Sequence, residues 1–212
     1  MAEPDSPQRL TVYLIDDDPA VRDSIALMLG LVGYRVVLFA DGESFLAAHR
    51  ADWSGCVIAD LRLPGLSGTE LQSELSRRGS DLPFVIITAH GDVPTARLAF
   101  QARAVDFLEK PFDHAQLIAA IRTAFALEER RIERNEARRA DGERLEQLTP
   151  REREVLELVA RGHHAREVGA ALGISPRTVE VHRTRIMSKL GVRNLAELVR
   201  FAVQAGSESG SE

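Results

Sequence analysis

Acidic, hydroxyl and lysine side chains follow short apolar runs at several points in the first half of this 212-residue chain. Asp16 and Asp17 follow one run, Asp60 follows a later one, and Thr88 and Lys110 end two more. Crowded carboxylates repel one another unless a cation neutralises them, and oxygen ligands favour a hard ion such as Mg²⁺. An aspartate beside Mg²⁺, a hydroxyl and a lysine can accept a phosphoryl group, because the cations neutralise the phosphoryl oxygens. The sequence therefore predicts an aspartyl-phosphate site, if the fold brings these residues together.

The elements that must position these side chains alternate between short β-branched runs and amphipathic stretches. This alternation is typical of five βα units, which form a parallel sheet with helices on both faces. In the flavodoxin-like strand order 2-1-3-4-5, strands 1 and 3 are neighbours, so Asp16, Asp17 and Asp60 would converge. We expect a flavodoxin-like (βα)5 domain over residues 10–122. The predicted strands are 11–15, 35–39, 56–59, 84–88 and 105–108, and the predicted helices are 20–31, 42–50, 68–77, 93–102 and 113 onward.

A stretch dense in charges of both signs follows this domain. We interpret residues 123–147 as a solvated helical linker that continues the fifth helix, since opposite charges recur three and four residues apart. Gly142 is expected to break that helix. The Ser/Gly/Glu tail at 207–212 is expected to be disordered.

Only helix signals occur in residues 148–206, which predicts an all-α domain of four helices. Thr149 to Glu152 has the form of a capping box with proline at the first helical position. Ser175 caps the third helix, and Asn194 with Glu197 caps the fourth. The second and third helices, separated by a short turn at Gly173, have the helix-turn-helix form.

The third helix of this domain presents a polar face that is suited to DNA. Residues 145–205 contain 10 basic and 7 acidic side chains, whereas residues 1–122 contain 11 basic and 17 acidic ones, so the basic half can meet a polyanion. Val181 is a lone apolar residue on that face and can touch a thymine methyl group. Arg177 and Arg185 can reach guanine edges or phosphates, and Arg183 and Lys189 suit phosphates. The predicted DNA-contacting residues are Arg177, Thr178, Glu180, Val181, Arg183, Thr184, Arg185 and Lys189.

Residues 10–122 resemble the receiver domain of two-component response regulators. The resemblance implies that Asp60 is the phosphoacceptor and that Asp17, Asp60 and the backbone carbonyl of Arg62 bind Mg²⁺, with Asp16 acting through water. It also implies that Lys110, before a cis proline, contacts the phosphoryl group, and that Thr88 and Phe107 form the switch pair. Arg103 departs from the glycine that such domains often carry before strand 5. The matching motifs are Leu14-Ile15-Asp16-Asp17, Ala59 to Gly68, Ile87-Thr88-Ala89 and Phe107 to Phe112.

Residues 148–205 resemble the LuxR-type helix-turn-helix of the NarL/FixJ class. The two resemblances together imply a response regulator and transcription factor rather than an enzyme. Its expected partners are a sensor histidine kinase, double-stranded promoter DNA and RNA polymerase. The matching motifs are Leu148 to Leu156, Leu172-Gly173-Ile174-Ser175, Thr178 to His182 and Lys189-Leu190-Gly191-Val192.

Phosphorylation is expected to act through a homodimer, because one helix-turn-helix offers a small interface with DNA. Resemblance to receivers points to the face made by helix 93–102, strand 105–108 and helix 113–125. That face carries charges that can form complementary pairs across a two-fold axis. The residues in question are Arg97, Arg103, Asp106 and Arg122.

Two alternatives stay open at this point. The chain could be a phosphate-accepting adaptor whose helical domain binds proteins rather than DNA. It could also be an aspartyl phosphatase with Asp16 as nucleophile and Asp18 as the acid, although Asp16 and Asp18 fit that pattern weakly. Nucleotide enzymes are disfavoured, since no glycine-rich phosphate loop follows the first strand. With one cysteine, Cys56, and no apolar run near ~18 residues, we expect a cytoplasmic protein without a membrane span.

Overall fold

The computed structural model describes residues 10–89 and 103–206, with side chains as far as Val203. The chain divides into two compact units, an N-terminal unit that ends at Arg131 and a C-terminal unit that begins at Ile132. The predicted helix at 93–102 and the predicted disordered tail at 207–212 lie outside the described residues.

The N-terminal unit contains one parallel sheet with the strand order β2-β1-β3-β4-β5. This order confirms the predicted flavodoxin-like fold. The strands are β1 (Thr11–Ile15), β2 (Arg35–Phe39), β3 (Gly55–Asp60), β4 (Phe84–Thr88) and β5 (Asp106–Glu109). The described helices that begin in this unit are α1 (Pro19–Leu31), α2 (Gly42–Ala48), α3 (Gly68–Arg77) and α4 (His114–Glu146).

Apolar side chains pack on both faces of this sheet. Alternate residues of β1 enter different clusters, with Tyr13 and Ile15 on one side and Val12 and Leu14 on the other. Every residue of β1, β3 and β4 is buried. A buried strand tolerates polar side chains best at its end, which is where the candidate residues of the site occur.

Helix α4 does not end at Gly142, so the predicted break there is wrong. The helix is continuous from His114 to Glu146. A glycine inside a helix costs about 1 kcal/mol relative to alanine. Ion pairs on either side of Gly142, from Arg139 to Glu143 at 3.1 Å and from Arg144 to Asp141 at 3.3 Å, offset part of that cost. Although α4 has 33 residues, no helix in the described part of the chain is long and apolar enough to cross a membrane.

The C-terminal unit contains four further helices around one apolar core. They are α5 (Pro150–Ala160), α6 (Ala165–Leu172), α7 (Pro176–Leu190) and α8 (Leu195–Gly206). The predicted caps are confirmed, since Thr149 and Glu152 form a capping box and Ser175 Oγ accepts the Thr178 N–H. Val179, Ile186 and Leu190 of α7 are fully buried in the core. The opposite face of α7 is therefore left for other contacts.

Candidate functional site

Lys110 joins two of the predicted carboxylates at the carboxyl edge of the sheet. Its Nζ lies 2.7 Å from Asp16 Oδ2 and 2.6 Å from Asp60 Oδ2. β1 and β3 are adjacent parallel strands, so the residues at their ends lie side by side. Asp16 is 1% exposed and Asp60 is 8% exposed, whereas one fifth of the Lys110 side chain remains accessible. The site is therefore a buried charge cluster that stays open to solvent along one side.

Backbone hydrogen bonds fix the orientation of both carboxylates. Asp16 Oδ1 accepts the Asp18 N–H at 3.0 Å, and Asp60 Oδ1 accepts the Arg62 N–H at 2.9 Å. Each carboxylate therefore has one oxygen held by the backbone and one held by Lys110. Gly68 packs closely against the backbone of Asp60, since a Cβ at Gly68 would lie only 2.6 Å from the Asp60 carbonyl oxygen. A glycine at the start of α3 permits this approach.

The pKa values of Asp16 and Lys110 reflect competition between burial and pairing. Burial raises the pKa of Asp16, although hydrogen bonds from Lys110 and the Asp18 N–H act in the opposite direction. Burial alone would lower the pKa of Lys110, but its hydrogen bonds to Asp16 and Asp60 outweigh that effect and raise the pKa. Lys110 therefore remains a cation at neutral pH, as stabilisation of a phosphoryl group requires.

Thr88 and Phe107 occupy the neighbouring strands β4 and β5. Thr88 is fully buried, and its backbone carbonyl oxygen accepts a hydrogen bond from the backbone N–H of Lys110 at 2.7 Å. Phe107 pairs with Ile86 in the sheet and packs partly buried against the core. The peptide bond between Lys110 and Pro111 is cis, as the resemblance implied. The backbone thus places Thr88 beside the loop that carries Lys110.

Asp17 and Arg62 lie at the solvent-exposed edge of the site. Asp17 follows the buried Asp16 directly, and both Asp17 and Arg62 are exposed. Among the described residues, no three histidine, cysteine, aspartate or glutamate side chains form a group that could hold a metal ion. The carboxylates of Asp16 and Asp60 nevertheless reach one common cation, the Lys110 ammonium. A set of oxygen donors that can share a cation fits a hard ion such as Mg²⁺.

Asp18 has a structural role, at the start of α1. Its Oδ1 accepts the Ala20 N–H at 2.8 Å, and Pro19 follows at the first position of the helix. This contact accounts for the third aspartate without a phosphatase mechanism. Arg22, which the sequence analysis did not single out, donates to the Asp16 carbonyl oxygen. Its position one turn after the Asp18 cap was the available signal for that contact.

The predicted DNA-contacting face of α7 is largely exposed. Arg177, Glu180, Thr184 and Arg185 are exposed, and Val181 retains 45% of its accessible surface. Most large apolar residues of this unit are buried in the core. An accessible valine between charged and polar side chains is consistent with a surface that contacts bases.

Three other predicted DNA contacts are engaged inside the C-terminal unit. Thr178 Oγ1 lies 2.8 Å from Ser175 Oγ at the start of α7. Arg183 donates to Glu180 Oε1 at 2.6 Å, and only 18% of its side chain is exposed. Lys189 donates to Glu152 Oε2 at 2.6 Å and to the Gln147 carbonyl oxygen at 3.1 Å. The Lys189 ammonium thus already has two acceptors within the unit.

The residues predicted for the dimer face are only partly described. Arg97 lies outside the described residues. Arg103 and Arg122 are exposed, and Asp106 Oδ1 accepts the N–H of the next residue, Phe107, at 2.8 Å. Arg103 has φ +66°, a left-handed conformation that glycine adopts more readily. The resemblance implied a glycine at this position, and glycine would adopt this backbone conformation with less strain.

Comparison with protein families agrees with this geometry. Residues 12–122 match the family described as the response regulator receiver domain. Residues 146–202 match the family described as bacterial regulatory proteins, luxR family. The acidic site and the α7 face therefore fall within the two matched segments.

Individual relatives extend over nearly the whole chain. The transcriptional regulatory protein FixJ of Azorhizobium caulinodans is 44% identical over 200 residues, which cover 94% of this chain and 95% of the relative. The tetrathionate response regulatory protein TtrR of Salmonella typhimurium is 41% identical over 94% of this chain and 95% of its own length. The solved structure of the response regulator StyR covers 92% of this chain and 99% of its own, with a TM-score of 0.79 and 39% identity. The chain therefore belongs to the FixJ-type two-component response regulators, with a receiver domain and a LuxR-type DNA-binding domain.

Proposed function

We propose that the protein is a transcription factor that a sensor histidine kinase controls by phosphorylating Asp60. The observation that carries this proposal is the position of the Lys110 ammonium, 2.6 Å from Asp60 Oδ2 and 2.7 Å from Asp16 Oδ2. A cation so placed favours negative charge at Asp60, both as a carboxylate and as a phosphorylated group. The protein acts in this reaction as a phosphate acceptor with residues that assist the transfer, rather than as an enzyme acting on a separate substrate.

The transfer forms a bond between an Asp60 carboxylate oxygen and phosphorus while the bond between phosphorus and the kinase histidine breaks. The histidine nitrogen leaves with the electron pair of that bond. Lys110 orients Asp60 before the reaction and neutralises a phosphoryl oxygen after it. Thr88, at the end of the adjacent strand, supplies a hydroxyl that can donate to another phosphoryl oxygen.

Asp17, Asp60 and the Arg62 carbonyl would hold Mg²⁺, with Asp16 contributing through water. When bound, Mg²⁺ supplies further positive charge for the phosphoryl oxygens. The support for this assignment is the chemistry of the oxygen donors at one edge of the sheet.

Labelling with acetyl phosphate tests the identity of the phosphoacceptor. Asp60→Asn should abolish labelling, and EDTA should do the same in the parent protein. Asp18→Asn is the matched control, because Asp18 caps α1 and asparagine also caps helices well. Wild-type labelling of Asp60→Asn, or transfer to Asp16, would overturn the assignment and favour the phosphatase alternative.

We further propose that α7 reads promoter DNA through Val181 and Arg185, with Arg177, Glu180 and Thr184 beside them. The exposure of this face supports that role. A gel-shift experiment against genomic fragments separates it from the adaptor alternative, because an adaptor would shift no fragment. A protein that binds promoter DNA would act in the cytoplasm of a bacterial cell, where RNA polymerase is a second partner.

Phosphorylation is proposed to favour a homodimer that binds two half-sites. Support comes from the small surface of a single helix-turn-helix unit and from the charged residues Arg103, Asp106 and Arg122 near β5 and α4. Sedimentation with and without beryllofluoride and Mg²⁺ tests the proposal. The molecular mass of the protein should double when beryllofluoride and Mg²⁺ are added, and an unchanged molecular mass would refute the dimer switch.

A further inference from the structure

A buried carboxylate lies on α4 beyond the segment that matches the receiver family. Glu128 is 0% exposed, whereas the family match ends at residue 122. It is the charged member of a stripe whose spacing of three or four residues places it on one side of the helix. The buried residues of α4 are Leu117, Ala120, Ile121, Ala124 and Glu128. A buried charge is costly unless it is paired, so the partners of Glu128 define its role.

Arg131 and the backbone of β3 hold the Glu128 carboxylate. Arg131 Nε donates to Glu128 Oε2 at 2.7 Å, and Arg131 Nη2 donates to Glu128 Oε1 at 2.7 Å. The two side chains therefore form a bidentate ion pair. The Gly55 N–H donates to Glu128 Oε1 at 3.3 Å. The hydrogen bonds from Arg131 to Glu128 raise the pKa of Arg131, so its guanidinium remains a cation.

Gly55 is required where Glu128 meets β3. Its φ is +139°, and a Cβ there would lie 1.8 Å from the Thr11 carbonyl oxygen. Gly55 also begins β3, and Asp60 ends it. Glu128 therefore contacts one end of the strand whose other end carries the proposed phosphoacceptor.

We propose that Glu128 and Arg131 form a lock that keeps residues 123–131 of α4 on the N-terminal unit, and that phosphorylation at Asp60 needs this lock to change DNA binding. The second part rests on the proposed function. The N-terminal unit ends at Arg131, and the side chains of residues 133–140 are exposed, so the lock lies where α4 leaves this unit. An unpaired Glu128 cannot remain buried at low cost, so loss of its partners should release this part of α4 into solvent.

Hydrogen exchange of the full chain tests the structural part of this proposal. In Glu128→Ala, the amides of residues 124–134 should exchange about tenfold faster than in the parent protein. The amides of β1 and β4 serve as an internal control that the sheet is intact. Glu129→Ala is the matched control, because Glu129 is the exposed neighbour and loses the same charge. Equal protection of residues 124–134 in Glu128→Ala and the parent would overturn the lock.

Glu128→Leu tests the coupling, because leucine continues the apolar stripe but cannot bind Arg131 or the Gly55 N–H. Asp60 should still be labelled by acetyl phosphate, while the gain in DNA affinity caused by beryllofluoride should fall about fivefold. Normal labelling with an undiminished gain would contradict the coupling. If the parent protein itself gained no affinity, the proposed function would fail, and the hydrogen-exchange result would still decide whether the lock exists.

Discussion

Replacing Lys189 with methionine should destabilise the C-terminal unit, because it leaves a buried carboxylate without its cation. Lys189 Nζ lies 2.6 Å from Glu152 Oε2, and the Glu152 side chain is only 4% exposed. The same ammonium donates to the Gln147 carbonyl oxygen at 3.1 Å. Methionine retains the apolar stem of lysine, so the substitution removes mainly the charge and its two hydrogen bonds.

The lowered pKa of Glu152 sets the size of the stability loss that is expected in Lys189→Met. Burial alone would raise that pKa, but hydrogen bonds from Lys189 and Thr149 and the charge of Lys189 lower it from 4.5 to about 2. A shift of that size corresponds to about 3 kcal/mol for all these interactions together. Lys189 is one of several contributors and one third of its side chain is exposed. We therefore expect its removal to cost about 1–2 kcal/mol.

Urea unfolding at several pH values measures this loss. The pKa of Glu152 is lower in the folded state, so its stabilisation is present above pH 4.5 and is lost as the pH falls towards 2. The parent protein and Lys189→Met should therefore differ at neutral pH and converge in acid. Arg161→Met is the matched control, since it removes an exposed positive charge from the same unit.

The competing role of Lys189 is a DNA phosphate contact, as the sequence alone predicted. In that case Lys189→Met would leave the free energy of unfolding unchanged. It would also reduce the slope of log K for DNA binding against log salt concentration by about one. Unchanged stability at neutral pH together with that reduced dependence would refute the structural role.

Three further predictions concern other parts of the chain. Arg103→Gly should raise the free energy of unfolding of the N-terminal unit by about 0.5–1 kcal/mol, because φ is +66° at Arg103. Thermal unfolding measures this change, and Arg103→Ala should give no such increase in stability. Val181→Ala or Arg185→Ala should weaken specific binding by about 1–3 kcal/mol in DNA titrations, with little effect on random DNA. Gly142→Ala should increase the helicity measured by circular dichroism, since no described atom other than the adjacent helix backbone lies within 4 Å of the added Cβ.

Local patterns were sufficient to predict most of the fold. The β-branched runs at Thr11–Ile15 and Phe84–Thr88 are strands with those bounds. The capping box at Thr149 fixed the start of α5 in the same way. These elements were predictable because burial on both faces of a sheet, and caps at helix ends, leave clear periodic signals. The predicted break at Gly142 is wrong because the low helix propensity of one glycine is outweighed by the cooperativity of a long helix.

Contacts between distant residues were predictable only where the strand order placed them. The predicted strand order put Asp16, Asp60 and Lys110 at one edge of the sheet, and Lys110 contacts both carboxylates. Lys189 was assigned to phosphates from its helix face alone, because nothing near it in sequence indicates a partner 37 residues away. The charge pattern around Glu128 predicts a solvated helix, because its nearby partner Arg131 suits an exposed ion pair and its contact with the Gly55 backbone is 73 residues away.

Control of DNA binding by Asp60 is tested most directly by the apparent Kd for a selected genomic DNA fragment. This Kd is measured with and without beryllofluoride and Mg²⁺, in the parent protein and in Asp60→Asn. Beryllofluoride should tighten DNA binding by the parent protein and should leave the Kd of Asp60→Asn unchanged. An equal gain in Asp60→Asn, or no gain in the parent protein, would contradict the claim that phosphorylation of Asp60 controls DNA binding.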